Sequence, residues 1–130
     1  MYKILVVDDN AETLYIYTRL FSKNGYEIAI ARGGEEALEQ IIKSRPDLVI
    51  LDVMIPKFSG WELARIIRNT PEWKSIIILI VSGAIAERDG LKRFALENDV
   101  DEVIPKPIIP HALIAKVKAH LKEPPAELKA

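Results

Sequence analysis

Residues 47–54 read DLVILDVM, four consecutive aliphatic side chains framed by Asp47 and Asp52. So short and unbroken an apolar run suits a strand rather than a helix. Its lack of alternation suits a strand covered on both faces. Strands of that kind lie at the centre of parallel sheets, whose crossover connections place helices on either side. Ligand sites of open α/β sheets lie beyond the carboxyl ends of the strands. Asp52, at the end of this run, is therefore the first candidate functional residue.

Around the central run, Asp47–Leu51, four others recur about every 20 to 30 residues. They are Lys3–Val7, Tyr26–Ala31, Ile76–Val81 and Val100–Ile104. The first and third of these are continuous and suit central strands; Tyr26–Ala31 and Val100–Ile104 are weaker and suit edges. Segments of helical period separate them. Leu14, Tyr17, Leu20 and Phe21 share a face, with Asn10 as N-cap and Gly25 as stop. Ala37, Leu38, Ile41 and Ile42 form a second stripe, ended before Pro46. The third opens with Ser59 and Glu62 at capping-box spacing and buries Leu63, Ile66 and Ile67. Leu91, Phe94 and Ala95 mark a fourth. The fifth follows Pro110 and buries Leu113, Ile114, Val117 and Leu121. These stripes are explained by core packing. Five alternations of strand and helix predict right-handed βαβ crossovers and an open, doubly wound sheet.

The bulk properties agree with one soluble domain. The chain has 130 residues, 49% hydrophobic and 28% charged, and no cysteine, which removes disulfides, thiolate metal sites and cysteine nucleophiles. The N-terminal apolar run is short and ends in acids, unlike a signal peptide. The most hydrophobic stretch, Ile76–Val81, is far too short to cross a bilayer. These features predict a cytoplasmic protein with no membrane contact. A net charge of −1 without long runs of either sign predicts no direct binding of nucleic acid by this domain. The domain is expected to span residues 1–122, with EPPAELKA at 123–130 a flexible tail or linker stub.

The strand ends carry the chemistry. The first ends in Asp8-Asp9, the third in Asp52, the fourth in Ser82, and the fifth reaches Lys106. The second ends in Ala31-Arg32-Gly33-Gly34, with no comparable group, as an edge strand would. Taken singly, each residue has an ordinary explanation. An acid ahead of a helix is favourable with the helix dipole, a serine beside Gly83 suits a turn, and a lysine suits the surface. Together they are harder to dismiss, because three converging carboxylates repel one another unless a cation is present. A hard divalent ion such as Mg²⁺ removes that cost and takes carboxylates, waters and phosphate oxygens as ligands. A carboxylate can then serve as nucleophile to form an acyl phosphate, with lysine and hydroxyl meeting the phosphoryl oxygens.

In this order and spacing, ILVVDDN, DLVILDVMIPKFSGWEL, LIVSGA and VIPKPI resemble the receiver domain of two-component response regulators over about residues 2–122. The resemblance implies a flavodoxin-like, doubly wound five-stranded parallel sheet in the order 2-1-3-4-5, with helices on both faces. It implies Asp52 as phosphoacceptor and Asp8 and Asp9 as the acidic pair that organises Mg²⁺, Asp9 ligating it directly. The backbone carbonyl of Met54 would be a further ligand, beside Asp52. Ser82 would be the hydroxyl switch and Lys106 the phosphoryl-contacting lysine. Pro107 would follow a cis peptide, and Pro56 and Gly60 would shape the loop after the acceptor. It further implies a sensor histidine kinase or histidine phosphotransfer protein as partner, in a phosphorelay that signals by conformational change rather than as a conventional enzyme. A homodimer through the fourth helix, fifth strand and fifth helix is a further expectation, with Arg88, Lys92, Asp101, Lys116 and Lys118 pairing across it. Two positions depart from the family. Val103 stands where a mobile Tyr or Phe is usual, and a valine cannot reproduce a ring's swing. Asp99 stands where glycine is common.

Other readings are weaker. A haloacid-dehalogenase-type phosphatase needs a second acid two residues after the nucleophile, and position 54 is methionine. A flavin carrier needs a phosphate loop after the first strand, where Asp8-Asp9-Asn10 would repel that phosphate. A flavodoxin-like interaction module working without phosphorylation is the alternative, and it predicts erosion of the acidic set. His111 and His120 fit no metal spacing and are expected at the surface. Trp61 and Trp73 are expected to pack rather than clamp a ligand.

Overall fold

A computed structural model of the chain describes residues 1–53, 59–83 and 91–122, except for the side chains of Leu91, Lys92 and Phe94. The chain runs β1 (Lys3–Val7), α1 (Ala11–Lys23), β2 (Glu27–Ala31), α2 (Gly34–Ser44), β3 (Leu48–Asp52), α3 (Gly60–Asn69), a single 3₁₀ turn (Pro71–Trp73), β4 (Ile77–Ser82), α4 (Leu91–Glu97), β5 (Glu102–Pro105) and α5 (Pro110–Leu121). The five strands form one parallel sheet in the order β2-β1-β3-β4-β5. Architecture and strand order are those expected from the sequence, and strand limits move by one or two residues. Asp52 and Ser82, expected at the ends of the third and fourth strands, are the last residues of β3 and β4.

Alternate strand residues feed two cores, one on each face of the sheet. Leu5, Val7, Val49, Leu51, Ile78, Ile80 and Val103 pack against Ala37 and Ile41 of α2, Leu63, Ala64 and Ile67 of α3, and Ala95 of α4. Ile4, Val6, Leu48, Ile50, Leu79, Val81 and Ile104 pack against Leu14 and Phe21 of α1 and Leu113, Ile114, Val117 and Leu121 of α5. All five β3 residues are buried, whereas β2 shows a partly exposed edge. Among the described residues, no helix is long and apolar enough to cross a membrane.

Local signals place the helices. Asn10 Oδ1 accepts from the Thr13 backbone N–H at 3.0 Å to cap α1, and Gly25 takes φ +86° just beyond its end. Ser59 and Glu62 form the reciprocal capping box at the start of α3. Pro110 opens α5 as its first residue. Two expected core residues are instead exposed: Ile42 by 66% and Ile66 by 38%. Each directly neighbours a fully buried isoleucine, and successive helical residues point about 100° apart, so here the sheet covers one of each pair and leaves the other at the margin of the stripe. Ala95 is buried as expected, while Leu91 and Phe94 have side chains outside the described set.

A second polar framework, absent from the sequence reading, locks the far end of the sheet. Arg68, in the last turn of α3, donates from Nε to the Asp99 carbonyl at 2.7 Å and from Nη1 to the Ile76 carbonyl at 2.6 Å. Its Nη2 meets Asp101 Oδ2 at 2.7 Å, and that oxygen also accepts from the Ile78 N–H at 2.8 Å. Asp99 takes φ +54°, a left-handed conformation that aspartate tolerates better than most side chains. This accounts for aspartate at a position where glycine is common in the family that the sequence resembles.

Candidate functional site

The register of the sheet assembles the acids. Val7 pairs with Leu51 and Asp52 with Val81, so the ends of β1, β3 and β4 lie side by side. Asp8, Asp9 and Asp52 each present a carboxylate oxygen within 4.8 Å of the others, Asp8 and Asp52 buried and Asp9 exposed. The turn carrying Asp8 is self-fastened, since Asp8 Oδ1 accepts from the Asn10 backbone N–H at 2.9 Å. Ser82 is buried, and its carbonyl accepts from the Lys106 N–H at 2.9 Å, which carries β5's alignment one residue further. The Lys106–Pro107 peptide is cis, as expected. Lys106 Nζ donates to Asp52 Oδ2 at 3.0 Å and lies 3.9 Å from Asp8 Oδ2. Four of the expected side chains, those of Asp8, Asp9, Asp52 and Lys106, therefore meet, and Ser82 ends the strand beside Asp52. Met54 and Pro56 fall outside the described residues.

The electrostatics follow from this crowding. Burial raises the Asp8 carboxyl above the usual aspartate range; the Asn10 amide opposes that rise and the neighbouring Asp52 charge adds to it. Burial works against the charge on Lys106, yet the hydrogen bond and attraction of Asp52, with Asp8 behind it, hold the ammonium above the ordinary lysine value. Among the described ion pairs of this cluster, one lysine offsets one of three carboxylates. The residual charge and the all-oxygen donor set fit a small hard divalent cation such as Mg²⁺.

Gly60 couples α3 to this site. Its N–H donates to the Val53 carbonyl at 3.0 Å, and an added Cβ would lie 2.5 Å from the Asp52 carbonyl oxygen and 3.1 Å from Val53 Cα. Backbone on both sides leaves no flexible atom to yield. Gly60→Ala is expected to destabilise the fold by about 2 kcal/mol, measured by urea unfolding. A loss below about 0.5 kcal/mol would mean that the helix start relaxes without disturbing Asp52.

Two expectations are corrected here. Arg32, set aside because β2 ended without a comparable group, reaches across to β1's turn and donates from Nη2 to the Asp9 carbonyl at 3.2 Å. That contact spans 23 positions and leaves no local sequence signature. His120 is half-buried rather than at the surface, with Nε2 2.8 Å from Glu102 Oε1, while Lys116 Nζ binds the other Glu102 oxygen. Burial would raise the Glu102 carboxyl, but those two partners hold it below its ordinary value. Trp61 and Trp73 pack against the α2–α3 face of the core, as expected.

Comparison with known proteins agrees with this geometry. Residues 4–118 match the response regulator receiver domain family. The chain is 37% identical over 120 residues to the response regulator MprA of Mycolicibacterium vanbaalenii, covering 92% of this chain and 50% of that protein. It thus spans about half the length of the curated relatives it matches. A CheY-like response regulator receiver domain protein from Methanospirillum hungatei superposes with a TM-score of 0.83 at 28% identity, covering 95% of each chain. A two-component response regulator from Clostridium difficile superposes with a TM-score of 0.83 at 28% identity, covering 95% of this chain and 98% of that one. With three acids and a lysine gathered at the carboxyl edge of a 2-1-3-4-5 sheet and a family match across residues 4–118, this chain belongs to the response regulator receiver domain family of two-component signalling.

Proposed function

We propose that the chain accepts a phosphoryl group on Asp52, in the presence of Mg²⁺, from a sensor histidine kinase or histidine phosphotransfer protein, and signals by a change of conformation. The observation that carries this reading is the Lys106–Asp52 contact of 3.0 Å inside a cluster of three carboxylates. An Asp52 carboxylate oxygen attacks phosphorus, and the bond from phosphorus to the donor's leaving group breaks, its electron pair departing with that group. Asp8 and Asp9, with Asp52, would hold Mg²⁺, which when bound supplies neutralising charge to the phosphoryl oxygens. Lys106 would follow charge from the free carboxylate to the transferred group, and the Ser82 hydroxyl would hydrogen-bond the product. The domain assists its own phosphorylation and dephosphorylation and turns over no other substrate. A cytoplasmic setting fits such partners.

The output surface is placed on α4, β5 and α5. A groove of about 870 Å³ there is lined largely by apolar groups, among them the strongly exposed Leu96 and Ile109. Such exposed apolar side chains favour a protein partner, including a second copy of the chain. Asp101 and Lys116, expected to pair across a dimer, already bind Arg68 and Glu102 within the chain, so apolar contact must contribute most. Arg88 and the Lys92 side chain lie outside the described residues, and Lys118 is half-buried. Val103 is buried in the core rather than poised as a mobile ring, so signalling runs through backbone and helix position. An interaction module that dispenses with phosphorylation is disfavoured by the intact set of acids and lysine.

Incubation with Mg²⁺ and acetyl phosphate should add one phosphoryl group by intact mass, removed by hydroxylamine as acyl phosphates are. A hydroxylamine-stable label would assign the chemistry to a hydroxyl and overturn the reading.

A further inference from the structure

The acid pocket faces a difficulty that its own lysine does not solve. Three carboxylates lie within 4.8 Å of one another, and Lys106 is engaged with Asp52 and Asp8. A phosphodonor brings further negative charge toward this pocket and is repelled at long range before any contact forms. Arg32 stands at the rim. Its backbone N–H donates to Glu36 Oε2 at 3.0 Å, which fixes the residue just beyond β2. From there one guanidinium nitrogen reaches the Asp9 carbonyl at 3.2 Å. That bond uses one of five N–H donors, and the side chain is exposed, so donors remain for an incoming anion.

A purely structural role accounts poorly for this placement. The turn is already held by the Asn10 amide on Asp8 and by the Asn10 side chain on α1. An exposed carbonyl accepts from water nearly as well, so the arginine adds little stability. What it does add is a fixed positive charge beside an exposed metal-site acid.

We propose that Arg32 is a donor-recruiting residue, drawing small anionic phosphodonors into the pocket; this rests on the reading of Asp52 as acceptor. The role is electrostatic, so it has a distinctive pair of signs. Removing the charge should slow labelling by an anionic donor, yet leave Mg²⁺ affinity equal or tighter, because a repelling cation has gone. Damage to the turn would instead weaken Mg²⁺ binding and labelling together.

The experiment compares wild type, Arg32→Gln and Arg32→Lys at saturating Mg²⁺. Initial labelling rates are read by mass with acetyl phosphate, a dianion, and phosphoramidate, which carries one net negative charge; Mg²⁺ binding is read by calorimetry. Arg32→Gln should label about five-fold more slowly with acetyl phosphate at low salt and less so with phosphoramidate. The difference should fade near 1 M salt, where the screening length is only about 3 Å. Arg32→Lys should keep most of the rate. Equal acetyl phosphate rates in wild type and Arg32→Gln, with Asp52 labelled in both, would overturn this proposal alone. Parallel loss of rate and Mg²⁺ affinity would also overturn it, showing that Arg32 only props Asp9. No label on wild type would overturn it together with the Asp52 assignment.

Discussion

Asp52→Asn should take up no phosphoryl group under conditions that label the wild type to a plateau. The substitution keeps size and shape and removes the anionic oxygen, so the nucleophile is lost while the fold is retained. The prediction is sharper than it first looks, because two other carboxylates lie within 4.8 Å. Asp8 is a poorer nucleophile in this setting, since it is buried and the Asn10 amide occupies one of its oxygens. Asp9 is exposed, and no contact to Lys106 accompanies it among the described ion pairs. Lys106 sits 3.0 Å from Asp52 against 3.9 Å from Asp8, and so favours the first. Peptide mapping after borohydride reduction distinguishes the sites. Hydroxylamine-labile label on Asp8 or Asp9 of the variant would show that acceptor identity is not fixed by this geometry.

Arg68→Met should cost about 2–3 kcal/mol of stability, even though the residue is remote from the acids. The guanidinium bridges the end of α3, the start of β4 and the approach to β5, and its side chain is only 13% exposed. Removing it takes away the donors to the Ile76 and Asp99 carbonyls and leaves the Asp101 charge, among the described residues, with the Ile78 amide. The lower end of the range for breaking a buried pair applies, because the Asp101 side chain is 35% exposed and water can reach it. Arg68→Lys should recover little, since an ammonium cannot span acceptors arranged around a planar fork. Urea unfolding with an unchanged slope is the check. A midpoint shift corresponding to less than about 0.5 kcal/mol, or full rescue by lysine, would show that the bridge is incidental.

The sequence by itself determined the sheet and the gathered chemistry. Unbroken aliphatic runs in Lys3–Val7, Asp47–Leu51 and Ile76–Val81 can be buried on both faces only at the centre of a parallel sheet. An acid, an acid pair and a serine at their ends then have nowhere else to point. The caps at Asn10 and Ser59 were equally legible, because capping is a bond between residues three apart. Tertiary structure decided everything that depends on long separation. Arg32 and Asp9 are 23 positions apart, Arg68 and Asp101 33, and Glu102 and His120 18. No local period encodes such pairs, so a charged side chain that will be tied down reads the same as one left in water. Ile42 and Ile66 failed in the opposite sense: the helical pattern allowed burial, but only packing against the sheet chose which isoleucine of each adjacent pair faces the core. Periodicity names the elements, and the arrival of a partner from elsewhere in the chain settles what each polar group does.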